Sequence, residues 1–309
     1  MQTDAGRKKR LSRIKGIFYA ILSSASFGFS PLFSVDLLRS GMGNCEILTY
    51  RWGIAAAGLC FVAKLQRKSL KIKSWDEFQK ILLMSILRSI TAITLLIGLA
   101  NISSGVASTI NFMYPVIVAA IMMLFFGEKK SFVTIGAIAV TILGVFLLAS
   151  GKGLDIEGGN RQLGLTSSII SAFSFAAYYI CLQKTKADKI ESVRFTTWMS
   201  IMSAIYFFIG SFLVESQGIR LVTSGKEWMY IIGLGIWATM VSNYSGVKAV
   251  RRIGPTLTSV LGALQPLTAV ILGIVFLDEH LGPKTIIGII LIMISVSVTV
   301  IHQQRQHKH

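Results

Sequence analysis

Ten times along this chain about twenty mainly apolar residues follow one another, at 16–38, 45–65, 78–100, 102–126, 131–151, 163–184, 193–215, 226–250, 254–277 and 284–302. A helix that crosses the hydrocarbon of a bilayer needs about 20 such residues. Backbone in hydrocarbon must also satisfy its own hydrogen bonds, which a helix does within one segment. The expected fold is therefore all-α and integral to a membrane, with ten transmembrane helices. Composition agrees: 53% of residues are hydrophobic, 15% are charged, and the mean hydropathy is +0.65. That balance excludes a water-soluble globule.

The ten runs are two copies of five. Asn111 to Lys130 reads NFMYPVIVAAIMMLFFGEKK and Val260 to Lys284 reads VLGALQPLTAVILGIVFLDEHLGPK. Thirteen residues separate Pro115 from Glu128, and thirteen separate Pro266 from Glu279. Upstream, GIFYAILSSASF from Gly16 aligns with GLTSSIISAFSF from Gly164 at a shift of 148, matching Ser23 with Ser171 and Phe27 with Phe175. Five is odd, so the second copy enters the membrane from the opposite side, giving inverted five-helix repeats. Secondary transporters are built this way, with substrate sites near the midplane between the copies.

The bases test the threading, because Lys and Arg concentrate in cytoplasmic loops. Of the 31, 23 fall on one side, 6 on the other, and Arg51 and Arg88 lie inside helices. The expected layout is a basic cytoplasmic arm (1–15), a first repeat (16–151), a periplasmic linker (152–162), a second repeat (163–302) and a cytoplasmic tail (303–309). The protein is then multi-pass in the inner (plasma) membrane with both termini in the cytoplasm. The first run is long enough to span and Ala25-Ser26-Phe27 offers no A-x-A cleavage site, so it reads as a retained helix. The net charge of +17 is accounted for by topology, and no nucleic-acid partner is implied.

Function is most legible where polar groups enter hydrocarbon, since a charge at the bilayer centre costs about 2.5–3.5 kcal/mol even on lenient scales. Arg88 lies midway along helix 3. Arg51 is six residues into helix 2 and could snorkel to the surface. Neither has an acidic partner within the spans, so a cavity holding them would favour an anionic group, and the planar fork suits a carboxylate. The alternative for Arg88 is a bond to backbone carbonyls freed at a helix break. Asn111, Tyr114 and Gln265 sit around the paired prolines, where a mid-helix Pro115 or Pro266 would bend the helix and serve as a gate or hinge. Tyr178 and Asn243 are further substrate-binding candidates, and Trp52 or Trp237 could supply an aromatic wall. Helix 1 offers Ser26, Phe27 and Ser30, where close packing competes with function for the serines. Glu128 and Glu279 close their runs near opposite faces and read as local ion-pair or helix-joining residues.

These motifs resemble the EamA group of the drug/metabolite transporter superfamily. The pattern runs from Ala107 to Pro115, Glu128 and Gly136 in the first copy, and from Thr256 to Pro266, Glu279 and Gly288 in the second. The resemblance covers about 16–302 and implies a basket of ten helices in pseudo-twofold inverted repeats, a central cavity and alternating access. Members export amino acids or other metabolites, and relatives carry nucleotide sugars, triose phosphates or carboxylates. One departure is Ala249-Val250-Arg251 where the first copy has Ala100-Asn101-Ile102. Arg251 and Arg252 would then orient the loop.

The expected function is secondary transport, by export or exchange, of a small amino-acid or carboxylate-bearing solute. The runner-up is efflux of cationic, lipophilic drugs, which would want an acid in the cavity. A non-transporting membrane scaffold or a membrane enzyme is the alternative of another class, but the spans hold no His cluster, paired carboxylates or nucleophile and base. Cys45, Cys60 and Cys181 form no disulfide framework or metal motif, so no metal or cofactor is implied. No P-loop occurs, so the chain does not drive movement with ATP by itself. The expected partners are the small-molecule substrate and the lipid bilayer; a monomer suffices, and a dimer is compatible with the same site.

Overall fold

The computed structural model describes residues 4–127, 131–151, 155–215 and 218–306. Among them every regular element is helical, and an isolated bridge between Ile102 and Asp155 is the one extended pairing. The first repeat runs α1 (Asp4–Gly28), α2 (Ser30–Arg39), α3 (Asn44–Leu65), α4 (Trp75–Leu99), α5 (Ser104–Asn111), α6 (Tyr114–Phe125) and α7 (Phe132–Ser150). The second runs α8 (Arg161–Lys184), α9 (Ser192–Leu213), α10 (Gly225–Ile232), a π-helical segment (Gly233–Val241), α11 (Ser242–Leu261), α12 (Leu264–Phe276) and α13 (Pro283–Gln306). Among the described residues eight stretches are long and apolar enough to cross a membrane, and Leu264–Phe276 is a shorter apolar helix.

Local chemistry sets the ends. Ser74 accepts from the Glu77 N–H at the start of α4, and Ser131 does the same for Thr134 at α7. Such caps satisfy donors that the first helical turn leaves open. Pro31 and Pro115 fall in the first turns of α2 and α6. Proline is tolerated there because no partner is lost. This corrects the mid-helix kink expected at Pro115 and Pro266. The fourth and ninth passes are interrupted at 112–113 and 262–263, just before each proline, by a two-residue turn. A further correction concerns 251–253, expected as a loop between the eighth and ninth spans. Helical structure runs through it within α11, and the chain reverses there. Ser242 bonds to Ser23, Arg252 lies at Gly16, and Gln265 and Thr268 have returned to the level of Gly28.

Helix pairing displays the pseudo-twofold relation. α1 packs on α11 and α8 on α4, while α3 pairs with α9 and α7 with α13. Exchanging the repeats maps the first two pairs onto each other and each of the others onto itself. Individual bonds obey the same rule: Ser23 donates to the Ser242 carbonyl and Ser171 to the Thr91 carbonyl. Gly16 and Gly164 are equivalent close approaches. A Cβ on the former would lie 2.9 Å from Arg252 Cβ, and on the latter 2.5 Å from Ile102 Cγ2. The caps Ser74 and Ser224 are offset by 150 residues, whereas Thr91 and Ser242 are offset by 151. The extra residue is absorbed by the π-helical segment, as one-residue insertions in helices commonly are.

The repeats are inverted. α2 ends at Arg39, whose guanidinium donates to the Leu277 carbonyl at 3.3 Å, and Arg39 shares a vestibule with Ile102. α8 begins at that same face, with Gly164 against Ile102. Equivalent helices α1 and α8 thus start at opposite faces. Large apolar side chains cover the outside, among them Phe132, Phe125 and Leu213, as lipid contact requires.

Candidate functional site

At mid-depth the break between α1 and α2 meets α4, α5 and α12 around a cavity of about 10 Å³, lined by Phe27, Ser30, Ser108, Asn111, Gln265 and Pro266 among others. That is room for about one water molecule. Asn111 and Gln265, both expected here, line it. Asn111 Oδ1 also accepts from Ser171 Oγ of the second repeat at 2.8 Å.

The two arginines stand behind this cavity and not on its wall. Both guanidinium carbons lie over Phe27, Arg51 at 5.8 Å and Arg88 at 5.9 Å from the ring centroid. Phe27 in turn lines the cavity. The arginines differ in how they are held. Arg51 donates from Nε to Thr239 Oγ1 at 2.8 Å and from Nη1 to Ser30 Oγ at 3.1 Å. It is 6% exposed, so the snorkelling reading is corrected: the side chain turns inward because two hydroxyls meet it there. Thr239 belongs to the π-helical segment and its hydroxyl also bonds to the Leu234 carbonyl.

Arg88 is 9% exposed and, among the described residues, makes no hydrogen bond and no ion pair. It rests on aromatic faces, Phe175 at 4.5 Å as well as Phe27. Tyr114, Tyr178, Tyr179 and Phe175 form one cluster beside it. Tyr114 stacks on Tyr179 with centroids 5.0 Å apart and planes 7° apart, and Phe175 lies 4.5 Å from Tyr114. Cation–π contact attracts a guanidinium but leaves its N–H groups without acceptors. Six buried side-chain polar atoms have no partner among the described residues, and three of them, Trp52 Nε1, Ser26 Oγ and Ser108 Oγ, belong to residues next to the arginines or the cavity. Buried polar groups are normally paired. Asn243 is half-buried beside Ser242 and does not join this cluster, and Trp237 points outward at 42% exposure. Pro115 is buried at the start of α6, away from the cavity wall.

On the face reached by Arg39 a vestibule of about 790 Å³ opens, lined by Arg39, Asp155, Glu157, Asp278, Glu279 and His280 among others. Between vestibule and cavity, Glu279 grips the start of α5. Its Oε1 accepts from the Ser104 N–H at 2.5 Å and its Oε2 from the Gly105 N–H at 3.3 Å. The acid of the second proline motif therefore caps a helix of the first repeat, where backbone donors and helix dipole favour a carboxylate. Its counterpart Glu128 lies outside the described residues.

Acids sit at the span ends on this face, Glu46 buried and Glu215 half-buried. Glu46 accepts from the Arg220 and Gly43 N–H groups, and Glu215 from that of Cys45. At the opposite, basic face Glu77 pairs with Arg194 at 2.6 Å, their side chains 9% and 8% exposed. Arg194 is one of the 23 bases that the charge count assigns to the cytoplasmic side, and the sequence shows no partner for it. Its only signal was an acid and a base each just inside a helix start.

With this geometry in hand, likeness to known proteins can be weighed. The EamA-like transporter family profile matches residues 14–150 and again 162–301, one match per repeat. The chain belongs to the EamA-like transporter family. It is 24% identical over 299 residues to the uncharacterized transporter YcxC of Bacillus subtilis (strain 168), covering 94% of each chain. It is 24% identical over 212 residues to the uncharacterized transporter sll1319 of Synechocystis sp., covering 67% of this chain and 61% of that one. A crystal structure with 14% sequence identity superposes with a TM-score of 0.66 over 96% of this chain and 99% of that one, a likeness of fold. This EamA-like chain is thus a multi-pass membrane transporter.

Proposed function

We propose that this transporter exports or exchanges small organic anions, amino acids or other carboxylate-bearing metabolites, by alternating access, with its basic face in the cytoplasm. The observation that carries the reading is Arg88: a buried guanidinium with five N–H donors and no acceptor among the described residues. The unpaired Trp52 Nε1, Ser26 Oγ and Ser108 Oγ add further donors in the same buried region of the molecule. A carboxylate is the complement of such a donor set.

Phe27 closes the cavity toward the arginines in this conformation. Three interruptions surround it, at Phe29 between α1 and α2 and at the turns before Pro115 and Pro266. Rotation of the half-helices about these points moves Phe27 and bares Arg88 to cargo. Arg51, already bonded, ties α3 to α2 and to the π-helical segment, and contributes charge without being the first contact.

The test is counterflow in proteoliposomes against a panel of amino acids and carboxylates. Wild type is expected to exchange a subset, and Arg88→Ala to lose that exchange; unchanged transport in the variant would refute the assigned contact. Efflux of cationic compounds has one observation in its favour, the four carboxylates of the vestibule. Increased drug susceptibility of a deletion strain, with no anion counterflow, would decide for it.

A further inference from the structure

At the basic face, α1 and α11 carry between them a cluster of cations and phenols that the transport reading does not use. Two of the cations share the ring of Tyr19, with Lys248 Nζ 5.3 Å and Arg252 Cζ 5.0 Å from its centroid. Lys248 Nζ is also 4.1 Å from the Tyr244 centroid, and Tyr244 Oη accepts from Gln66 Nε2 at 3.0 Å. Neither Lys248 nor Arg252 forms an ion pair among the described residues. Beside them α1 presents Leu11, Ile14, Phe18 and Ile21, which are 53%, 54%, 62% and 41% exposed. Their spacing puts them in one stripe along the helix, running from the cations into the membrane.

The sister helix pair supplies an internal control. Gly164 meets Asn101 and Ile102 where Gly16 meets Arg252 and Ile253. There the position of Arg252 is taken by neutral Asn101, which bonds to the Ile97 carbonyl at 2.8 Å and accepts from the Asn160 N–H at 2.9 Å. The helix crossing therefore forms without cations. Where they occur, they are held over aromatic rings with their N–H groups turned to no protein acid.

We infer that Lys248, Arg252 and Tyr19 bind the phosphate of an anionic phospholipid, whose acyl chain lies along Ile14, Phe18 and Ile21. Two cations converging on one ring suit a phosphate's several acceptor oxygens, and each base near a membrane surface adds attraction to anionic lipid. The apolar stripe selects the lipid over a free phosphate ion. The site is distinct from the cavity and does not depend on what the transporter carries.

The experiment measures thermal unfolding of the purified full chain in neutral detergent with added phosphatidylglycerol, phosphatidylcholine or inorganic phosphate. Native mass spectrometry of the same samples counts retained lipid. Phosphatidylglycerol is expected to stabilise wild type and phosphatidylcholine to do little. Lys248→Gln with Arg252→Gln should need about tenfold more phosphatidylglycerol for the half-maximal shift. Lys71→Gln with Lys73→Gln, which removes equal charge from an exposed loop, should behave as wild type. No headgroup preference in wild type would overturn the proposal without recourse to any variant. So would equal loss in the loop control, which marks net charge alone, or full stabilisation by inorganic phosphate.

Discussion

Replacing Arg51 and Arg88 separately by methionine distinguishes a guanidinium that holds the fold from one that waits for cargo. Each substitution removes one charge from a site less than a tenth exposed, so the relief of desolvation is similar in the two and drops out of their difference. Arg51→Met loses the bonds to Thr239 and Ser30. Hydrogen bonds to a charged group contribute about 1.5–3 kcal/mol each. Both arginines lose two ring contacts, at similar distances except for the 4.5 Å approach of Arg88 to Phe175, a contact class of about 0.5–2 kcal/mol. Arg51→Met should therefore be the less stable by about 2–5 kcal/mol, or roughly 3–8 °C in melting temperature for a chain this size. Differential scanning fluorimetry of the two proteins in one detergent measures this. Ligand response runs the other way: cargo at about 100 times its Kd stabilises a binding-competent protein by about 2.7 kcal/mol, in wild type and Arg51→Met but not in Arg88→Met. Equal destabilisation by the two substitutions would refute the division of labour, as would a ligand shift that survives loss of Arg88.

At the basic face, Glu77→Leu strands buried Arg194 and should lower stability by about 3–5 kcal/mol, whereas Glu77→Leu with Arg194→Met should recover most of the loss; a thermal-melt double-mutant cycle measures the coupling. Gly288→Ala would set a Cβ 2.8 Å from the Gly144 carbonyl oxygen, forcing α13 off α7 at about 1–3 kcal/mol, read as a drop in melting temperature that Gly136→Ala, with open space around it, does not share. Burial pushes the Glu191 carboxyl up, but the hydrogen bond from Lys68, the Arg194 N–H and the charges of both hold it below its ordinary value of 4.5 on balance. A lowered folded value means its stabilisation is complete above pH 4.5 and fades as pH falls through the folded value. Lys68→Met should flatten that acid limb in melts taken at successive pH values.

How far the sequence reached follows from where each signal is written. Hydrophobic runs and the doubled proline motif lie along one chain, so the passes, the inverted repeats, the burial of Arg88 and the placing of Asn111 and Gln265 at the cavity were readable, whereas the inward turn of Arg51 was not. Partners across helices were not: Thr239 meets Arg51 only because a π-helical residue shifts the register, and Glu279 caps α5 through backbone N–H groups that no letter records. The proline breaks were legible as breaks but not as clean turns, since the preceding residues decide which helix owns the proline.

The repeat comparison carries one step more. Counting back from the equivalent pair Thr91 and Ser242, Arg88 corresponds to Thr239, and the equal lengths of α3 and α9 match Arg51 with Met199. The shield is symmetric, Phe27 and Phe175 being equivalents that each bear a guanidinium, yet both charges come from the first repeat. An inverted-repeat scaffold interconverts its two access states by exchanging the conformations of its halves. With neutral Thr239 and Met199 in the second half, that exchange does not reproduce the charged surroundings, so on the proposed cycle cargo meets unequal sites from the two faces. Half-saturation for counterflow measured from opposite sides of oriented vesicles should accordingly differ. Moving one charge across the repeats, with Arg88→Thr and Thr239→Arg together, should change which side binds more tightly. Equal values from both sides in wild type would show that the asymmetry of the side chains has no energetic consequence for transport.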